Sequence, residues 1–266
     1  FKDVDVVIEA VFEDPAVKDE VYRSLCGVVS DTCILASNTS SLPVNLLAES
    51  VKNPGRFAGI HFFSPVWKME LVEVIRGRET SDDTVNNLIG LAAALRKRPI
   101  VCNDNPGFVV NAMLFPYFLK TFEILEEGVS IESIDSAMMK FGLPVGPVRL
   151  TDEVGIDTSY LVLTKSLKMT APPALENVYK EGRYGRNKNG KGYYDKDGKV
   201  DPEVLPLINP GGKKAEYSEA EIQEMLFTPF AITGNELLEK KIISDPRLID
   251  IGAIWGIGFP PDKGGP

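Results

Sequence analysis

RFAGIHFFSPVWKMELVEVI, residues 56–75, is the stretch on which the reading of this chain turns. Two apolar, β-rich runs, RFAGIHFF and MELVEVIRG, flank a proline-containing break, and each reads as a strand. The first carries His61, the only histidine in 266 residues, near its end, and the second carries Glu73. A buried imidazole needs partners for its ring nitrogens and a buried carboxylate needs donors, so the two side chains are suited to satisfy each other. His61 is either a satisfied structural histidine or a base, and what converges on it decides which.

Working outward, the first hundred residues alternate β-rich runs with helical stretches. DVDVVIEAV reads as a strand, and DPAVKDEVYRSLCGVV as a helix with Pro15 early and acids in its first turns. CILASN is a second strand and SLPVNLLAES a short helix. Beyond the two central strands come a helix, DDTVNNLIGLAAALRK, and a last strand, RPIVCN. Such alternation predicts an α/β layered domain with a largely parallel sheet.

After NDNPGF the pattern becomes helical, with VVNAMLFPYFLKTFEILEEG followed by SIESIDSAMMKF. Ser130 is the predicted N-cap of the second, with Glu132 in its first turn, and Pro116 is a predicted kink in the first. Residues 180–215, rich in Gly, Lys, Asn and Pro, read as a loop connecting helical units. Residues 113–147 resemble 225–266: both run MLF, then a helix ending in charge, an Ile-Asp in a second helix, and a glycine- and proline-rich turn. The predicted boundaries are 1–103 for the α/β part, 104–212 for a first helical domain and 213–266 for a partial second repeat.

The net charge of −9 argues against a nucleic-acid partner, which needs a basic face for phosphates. No apolar stretch is long enough to span a membrane. The three cysteines show no metal-ligand spacing, and two lie in strand-like runs as expected of core thiols in a reducing, intracellular compartment. No metal site is predicted. The chain opens on Phe1 already close to a strand, as a cropped domain does.

Further polar groups stand at predicted strand and helix ends. ILASNTSSL puts Asn38, Thr39 and Ser40 just after a strand, where open α/β sheets bind ligands and where such residues also cap the next helix. NPGFVVN puts Asn111 one turn into an apolar helix, where an amide is a poor helix former.

Taken together, VIEAVFED, the following lysine, ILASNTSSL, RFAGIHFFSPVWKMELVEVI and NDNPGFVVNAMLFPY closely resemble the 3-hydroxyacyl-CoA dehydrogenase family. GLPVGPVRLTDEVGIDT and GRYGRNKNGKGYYDKDG extend the resemblance over essentially the whole chain. HFFSP with Ser64, and the terminal repeat ending GIGFPPDKGGP, resemble the multifunctional fatty-acid β-oxidation members rather than the short form.

The resemblance implies a truncated Rossmann-like α/β domain followed by an all-α duplicated helical domain. It implies oxidation of (S)-3-hydroxyacyl-CoA to 3-ketoacyl-CoA with NAD as cofactor, His61 as general base, Glu73 as its orienting carboxylate, and Ser40 and Asn111 in the polar cluster around the substrate. Ala10, Glu13, Lys18, Asn38, Ser40 and Ser64 match cofactor-side positions. Ala112 stands where the family commonly has arginine, and no GxGxxG turn follows a strand before His61. These 266 residues alone are therefore expected to bind NAD weakly and show no turnover. The implied partners are an acyl-CoA substrate and a larger multifunctional chain, with residues 225–266 packing on the 105–150 helices and favouring a monomer. A related hydroxyacid dehydrogenase of the gulonate/crystallin type and a non-catalytic assembly module are the competing readings; retention of His61, Glu73, Ser40 and Asn111 together favours the enzyme.

Overall fold

The computed structural model describes all residues, 1–266, in two compact units. The first holds residues 1–112 and 234–257 together with Gly265; the second holds 113–233, 258–264 and Pro266.

In the first unit five strands form one sheet in chain order: β1 (Val6–Glu9), β2 (Ile34–Ser37), β3 (Phe57–Phe62), β4 (Leu71–Arg76) and β5 (Arg98–Asn103). All neighbouring pairs are parallel except β3–β4, which is antiparallel, so the largely parallel sheet expected from the alternation is present. Antiparallel pairing follows from the short connection: only eight residues, 63–70, join β3 to β4, too few for a parallel crossover. Helix α1 (Pro15–Cys26) follows β1. Its N-cap is Asp14, whose carboxylate accepts from the amides of Ala16 and Val17, and its first turn itself contains no acid. Asp14 therefore caps the helix from outside rather than lining its first turn.

Helices α2 (Val44–Ala48) and α3 (Asp82–Ala94) cover opposite faces of the sheet, with Ser81 capping α3 through the amide of Thr84. Ile34, Ala36, Ala58, Ile60, Val72 and Val74 of the sheet form a buried core with Val85, Leu88 and Ala92 of α3. Gly59 is needed where β3 passes α2, because a Cβ there would lie 2.9 Å from both Ile75 and Val44.

The second unit is helical. It begins within α4 (Val110–Glu126), a helix continuous through Pro116, and adds α5 (Ile131–Phe141), α6 (Pro147–Val154), α7 (Ile156–Leu161) and α8 (Pro173–Lys180). A short α9 (Leu205–Ile208) and most of α10 (Glu219–Glu239) follow. Ser130 caps α5 through the amide of Ser133, with Glu132 in the first turn, as read from the sequence.

The connector expected at 180–215 is an organised loop. Its Tyr193 and Tyr194 are buried, and the Asp152 carboxylate accepts from both their amides at 3.0 and 3.2 Å. Tyr194 donates its hydroxyl to Asp135, and buried Arg183 pairs with Asp201 and Glu203 while donating to the carbonyl of Gly192. Burial pushes both Asp135 and Asp152 above the usual carboxylate range, against the hydrogen bonds that favour their ionised forms. Composition identified this stretch as irregular but could not show that Tyr193 and Tyr194 anchor it to α5, α6 and α8.

The repeat is visible in the helices: α4 and α5 correspond to α10 and α11 (Pro246–Ile257), with Pro116 and Pro229 each inside the longer member. Asp135 crowds Gly146 in one copy as Asp250 crowds Gly265 in the other. The second copy is nevertheless not a compact unit of its own. Its early part meets the first copy within the helical unit, with the Phe227 ring tilted against that of Phe141 at a centroid distance of 4.1 Å and Gln223 donating to the Ala137 carbonyl. Helix α11 belongs instead to the sheet unit, where Gly252 and Gly256 let it approach Ile100, Leu71 and Val110, and the Arg98 guanidinium lies 4.0 Å from the Trp255 ring. The expectation that residues 225–266 pack on the 105–150 helices thus describes only part of the segment. Two amphipathic helices cannot bury their apolar faces on each other alone, and α11 finds its partner at β4 and β5.

Candidate active site

The site lies within the sheet unit, at the carboxyl ends of β1, β2 and β3, the place where open α/β sheets leave a crevice for ligands. His61 and Glu73 are direct register partners across the β3–β4 pair. His61 Nδ1 and Glu73 Oε2 are 2.7 Å apart, with the imidazole side chain 5 % exposed and the carboxylate fully buried. The other carboxylate oxygen, Oε1, accepts from the amides of Val109 and Val110, both at 3.0 Å. These amides open α4, so the positive end of a seventeen-residue helix faces the carboxylate.

This arrangement sets the state of the ring. An ionised Glu73 accepts the Nδ1 proton, which leaves the Nε2 lone pair as the basic position. Phe63 and Phe108 lie against the ring, with centroids 4.6 and 5.7 Å away, and restrict its rotation. Phe108 takes a left-handed backbone conformation (φ 56°) in the NPGF turn, whose Phe108 amide donates to the carbonyl of Asn105. A base held in one tautomer, with a carboxylate behind it and a dry wall beside it, is equipped to take a proton from a hydroxyl.

The turn after β2 supplies the facing groups. Ser40 is exposed, and its carbonyl accepts from the side-chain amide of Asn111 at 3.3 Å, which joins the two residues predicted to share the polar cluster. Asn38 accepts from the amide of Phe62 at 3.0 Å, tying the end of β2 to the end of β3 next to His61. Ala10 is exposed in the loop after β1, and Ser64 is exposed just beyond the end of β3.

Glu13 and Lys18 are placed differently from the other predicted cofactor-side residues. Lys18 is fully buried, with its ammonium 2.7 Å from Glu9 and 3.4 Å from Glu13. A lysine so enclosed has no surface to offer a ligand directly. Glu13 Oε1 accepts from Thr39 Oγ1 (2.7 Å) and from the amides of Ser40 (2.9 Å) and Ser41 (3.1 Å).

Sequence reasoning passed over Glu9. Its carboxylate accepts from Lys18, from the amide of Val11, from Ser37 Oγ at 2.8 Å and from the hydroxyl of Tyr22. Burial acts to raise this carboxyl, but the four hydrogen bonds outweigh it and hold it below the usual range, while burial and the same carboxylate push the Tyr22 phenol well up. A usable signal was present: an acid at the end of an apolar strand, followed by Lys18 and Tyr22 spaced to share one face of a helix. The amides of Val109 and Val110 left no such trace, since backbone donors have no residue type.

Two family models match the chain: "3-hydroxyacyl-CoA dehydrogenase, NAD binding domain" over residues 1–105 and "3-hydroxyacyl-CoA dehydrogenase, C-terminal domain" over residues 107–196. The chain is 43 % identical over 282 aligned positions to the fatty acid oxidation complex subunit alpha of Idiomarina loihiensis, covering 100 % of this chain and 39 % of that protein. It therefore spans about two fifths of the length of such relatives. Among solved structures it resembles 3-hydroxybutyryl-CoA dehydrogenase from Escherichia coli, with a TM-score of 0.83 and 25 % identity over 97 % of this chain and 73 % of that one. It also resembles (S)-3-hydroxybutyryl-CoA dehydrogenase from Ralstonia eutropha, with a TM-score of 0.69 and 38 % identity over 73 % and 71 % of the two chains.

Proposed function

The chain belongs to the 3-hydroxyacyl-CoA dehydrogenase family, and from that premise we propose that it carries the catalytic base of an NAD-dependent oxidation of (S)-3-hydroxyacyl-CoA to 3-ketoacyl-CoA in fatty-acid oxidation. The observation that carries the proposal is the His61–Glu73 pair anchored on the first amides of α4. His61 Nε2 takes the proton of the substrate hydroxyl. Glu73 offsets the positive charge that the ring then acquires, and does so without reorganising because Val109, Val110 and β3 already hold it in place. Ser40 and Asn111 orient the substrate oxygen toward the base.

NAD, when bound, supplies the hydride acceptor for C3 of the substrate. The residues present fit its nicotinamide end: Ala10, Asn38 and Ser40 stand at the carboxyl ends of adjacent parallel strands, with Ser64 beyond β3. The chain contains no GxGxxG turn of the kind that seats a pyrophosphate, so these residues alone are expected to hold the cofactor weakly.

The same reading extends to context. The chain works as the dehydrogenase segment of a longer multifunctional protein, as the coverage of the fatty acid oxidation subunits suggests. The internal repeat favours a monomeric segment, and three free cysteines fit a reducing, intracellular location. No helix is long and apolar enough to cross a membrane.

The test is NADH formation by the full-length protein at saturating NAD and 3-hydroxybutyryl-CoA. Turnover that falls by about 10²–10⁴ in His61→Gln supports the assignment. Undiminished turnover in that variant, or none in a wild-type protein shown to bind NAD, overturns it.

A further inference from the structure

Three consecutive residues at the end of β5, Asn103, Asp104 and Asn105, each tie this segment to something different. Asn103 donates its side-chain amide to the carbonyl of Lys241 at 2.8 Å and its backbone amide to that of Ile242 at 2.7 Å. Asp104 accepts from the backbone amide of Asn45 at the start of α2. Asn105 instead turns back on its own loop. Its carbonyl accepts from the amide of Phe108 at 2.8 Å, and its side-chain amide donates to the carbonyls of Pro106 and Phe108, both at 3.1 Å. Two carbonyls facing one side-chain atom assign that atom as the nitrogen.

The turn closed in this way is strained. Gly107 (φ 73°) and Phe108 (φ 56°) are both left-handed, and only the first is a glycine. A bulky residue persists in that conformation only where its surroundings over-determine it. Asn105 bonds both backbone polar groups of Phe108 and so pins the conformation. The buried site is built on the result. The Phe108 ring lies 5.7 Å from that of His61, and the next two amides, of Val109 and Val110, both reach Glu73 Oε1 at 3.0 Å. Relaxation of Phe108 would move ring and amides together.

We propose that Asn105 is a positioning residue that acts on proton transfer through Phe108, holding the turn that aims two amides at Glu73 and one ring at His61. The proposal rests on the dehydrogenase reading given above. Asn105 itself bonds neither His61 nor Glu73; its side chain reaches only the turn.

The test uses the full-length protein with NAD and 3-hydroxybutyryl-CoA and two variants, Asn105→Ala and Asn105→Asp, neither of which has a side-chain donor for the Phe108 carbonyl. Asn105→Asp keeps the size of the side chain and remains informative if Asn105→Ala fails to fold. Both are expected to lower kcat by roughly 10- to 100-fold while the KM for either substrate changes by less than about twofold, with rates normalised to NADH-binding sites. The same losses should largely vanish in a Glu73→Gln background, where the pair that Asn105 holds is already broken.

A spectroscopic arm separates positioning from loss of fold. The proton on His61 Nδ1, bonded to a buried carboxylate, gives a far-downfield NMR resonance that is assigned by its absence in His61→Gln. It should broaden or move upfield in both Asn105 variants, whereas a general loss of stability leaves it in place in the folded fraction. Unchanged kcat, a raised KM at constant kcat, losses that multiply with Glu73→Gln, or an unmoved resonance overturns the positioning role and leaves the dehydrogenase reading standing. Absence of turnover in a wild type that binds NAD overturns that reading, and the proposal falls with it.

Discussion

His61 and Glu73 face each other as register partners on antiparallel strands, 2.7 Å apart, and Glu73 is held from behind by the two amides that open α4. The strand pairing fixes the separation of the pair, and the helix start supplies the donors that let a charged carboxylate stay buried. Orientation of the imidazole is thus a property of the sheet and of one helix N-terminus together.

Replacing Glu73 by glutamine keeps an oxygen for the amides of Val109 and Val110 but removes the charge behind the ring. Without a carboxylate the Nδ1-protonated tautomer loses its preference and the imidazolium its counter-charge. Glu73→Gln is expected to lower kcat by about 10²–10⁴, with little change in thermal midpoint. Steady-state NADH formation and calorimetry on the same preparation check both halves.

Glu9 gives a pH-dependent contribution to stability whose sign follows from its lowered carboxyl. A carboxyl depressed in the folded state stabilises above its ordinary range, and the contribution is lost as pH falls through that range to the folded value. Asp135 and Asp152, raised by burial, contribute the opposite slope, losing stability as pH rises through their folded values. Comparing urea midpoints of wild type and Glu9→Gln between about pH 5 and about pH 3 isolates the Glu9 term; the difference should shrink as pH falls. Near neutrality the variant should be less stable by about 3–5 kcal/mol, because buried Lys18 loses its nearer partner.

Gly59 tests the close approach of β3 to α2. A methyl group there would stand 2.9 Å from Ile75 Cβ and Val44 Cγ2, both in the core. Gly59→Ala is expected to cost about 1–3 kcal/mol in urea unfolding. A neutral result would show that the α2 contact yields easily.

Asp152 tests the organised loop. Its carboxylate is the acceptor for the amides of buried Tyr193 and Tyr194. Asp152→Ala leaves both donors unpaired and should cost about 1–3 kcal/mol. Hydrogen exchange should report loss of protection at those two amides, with β3 and β4 unaffected.

Much of this molecule was legible in the residues alone. The strand–helix alternation, the cap at Ser130 and the pairing of His61 with Glu73 all follow from periodicity, capping chemistry and the few ways a buried imidazole and carboxylate can be satisfied. These are short-range properties, and side chains within one hairpin or one helix turn carry them. What only the tertiary structure decided is where long-range partners fall. Lys18 points inward to Glu9, Glu13 is occupied by the 39–41 turn, Asp152 organises a loop some forty residues later, and α11 leaves its own repeat for the sheet. Each depends on which backbone donors, cavities and apolar faces meet after folding. A burial requirement is written in the sequence, but the group that satisfies it is not.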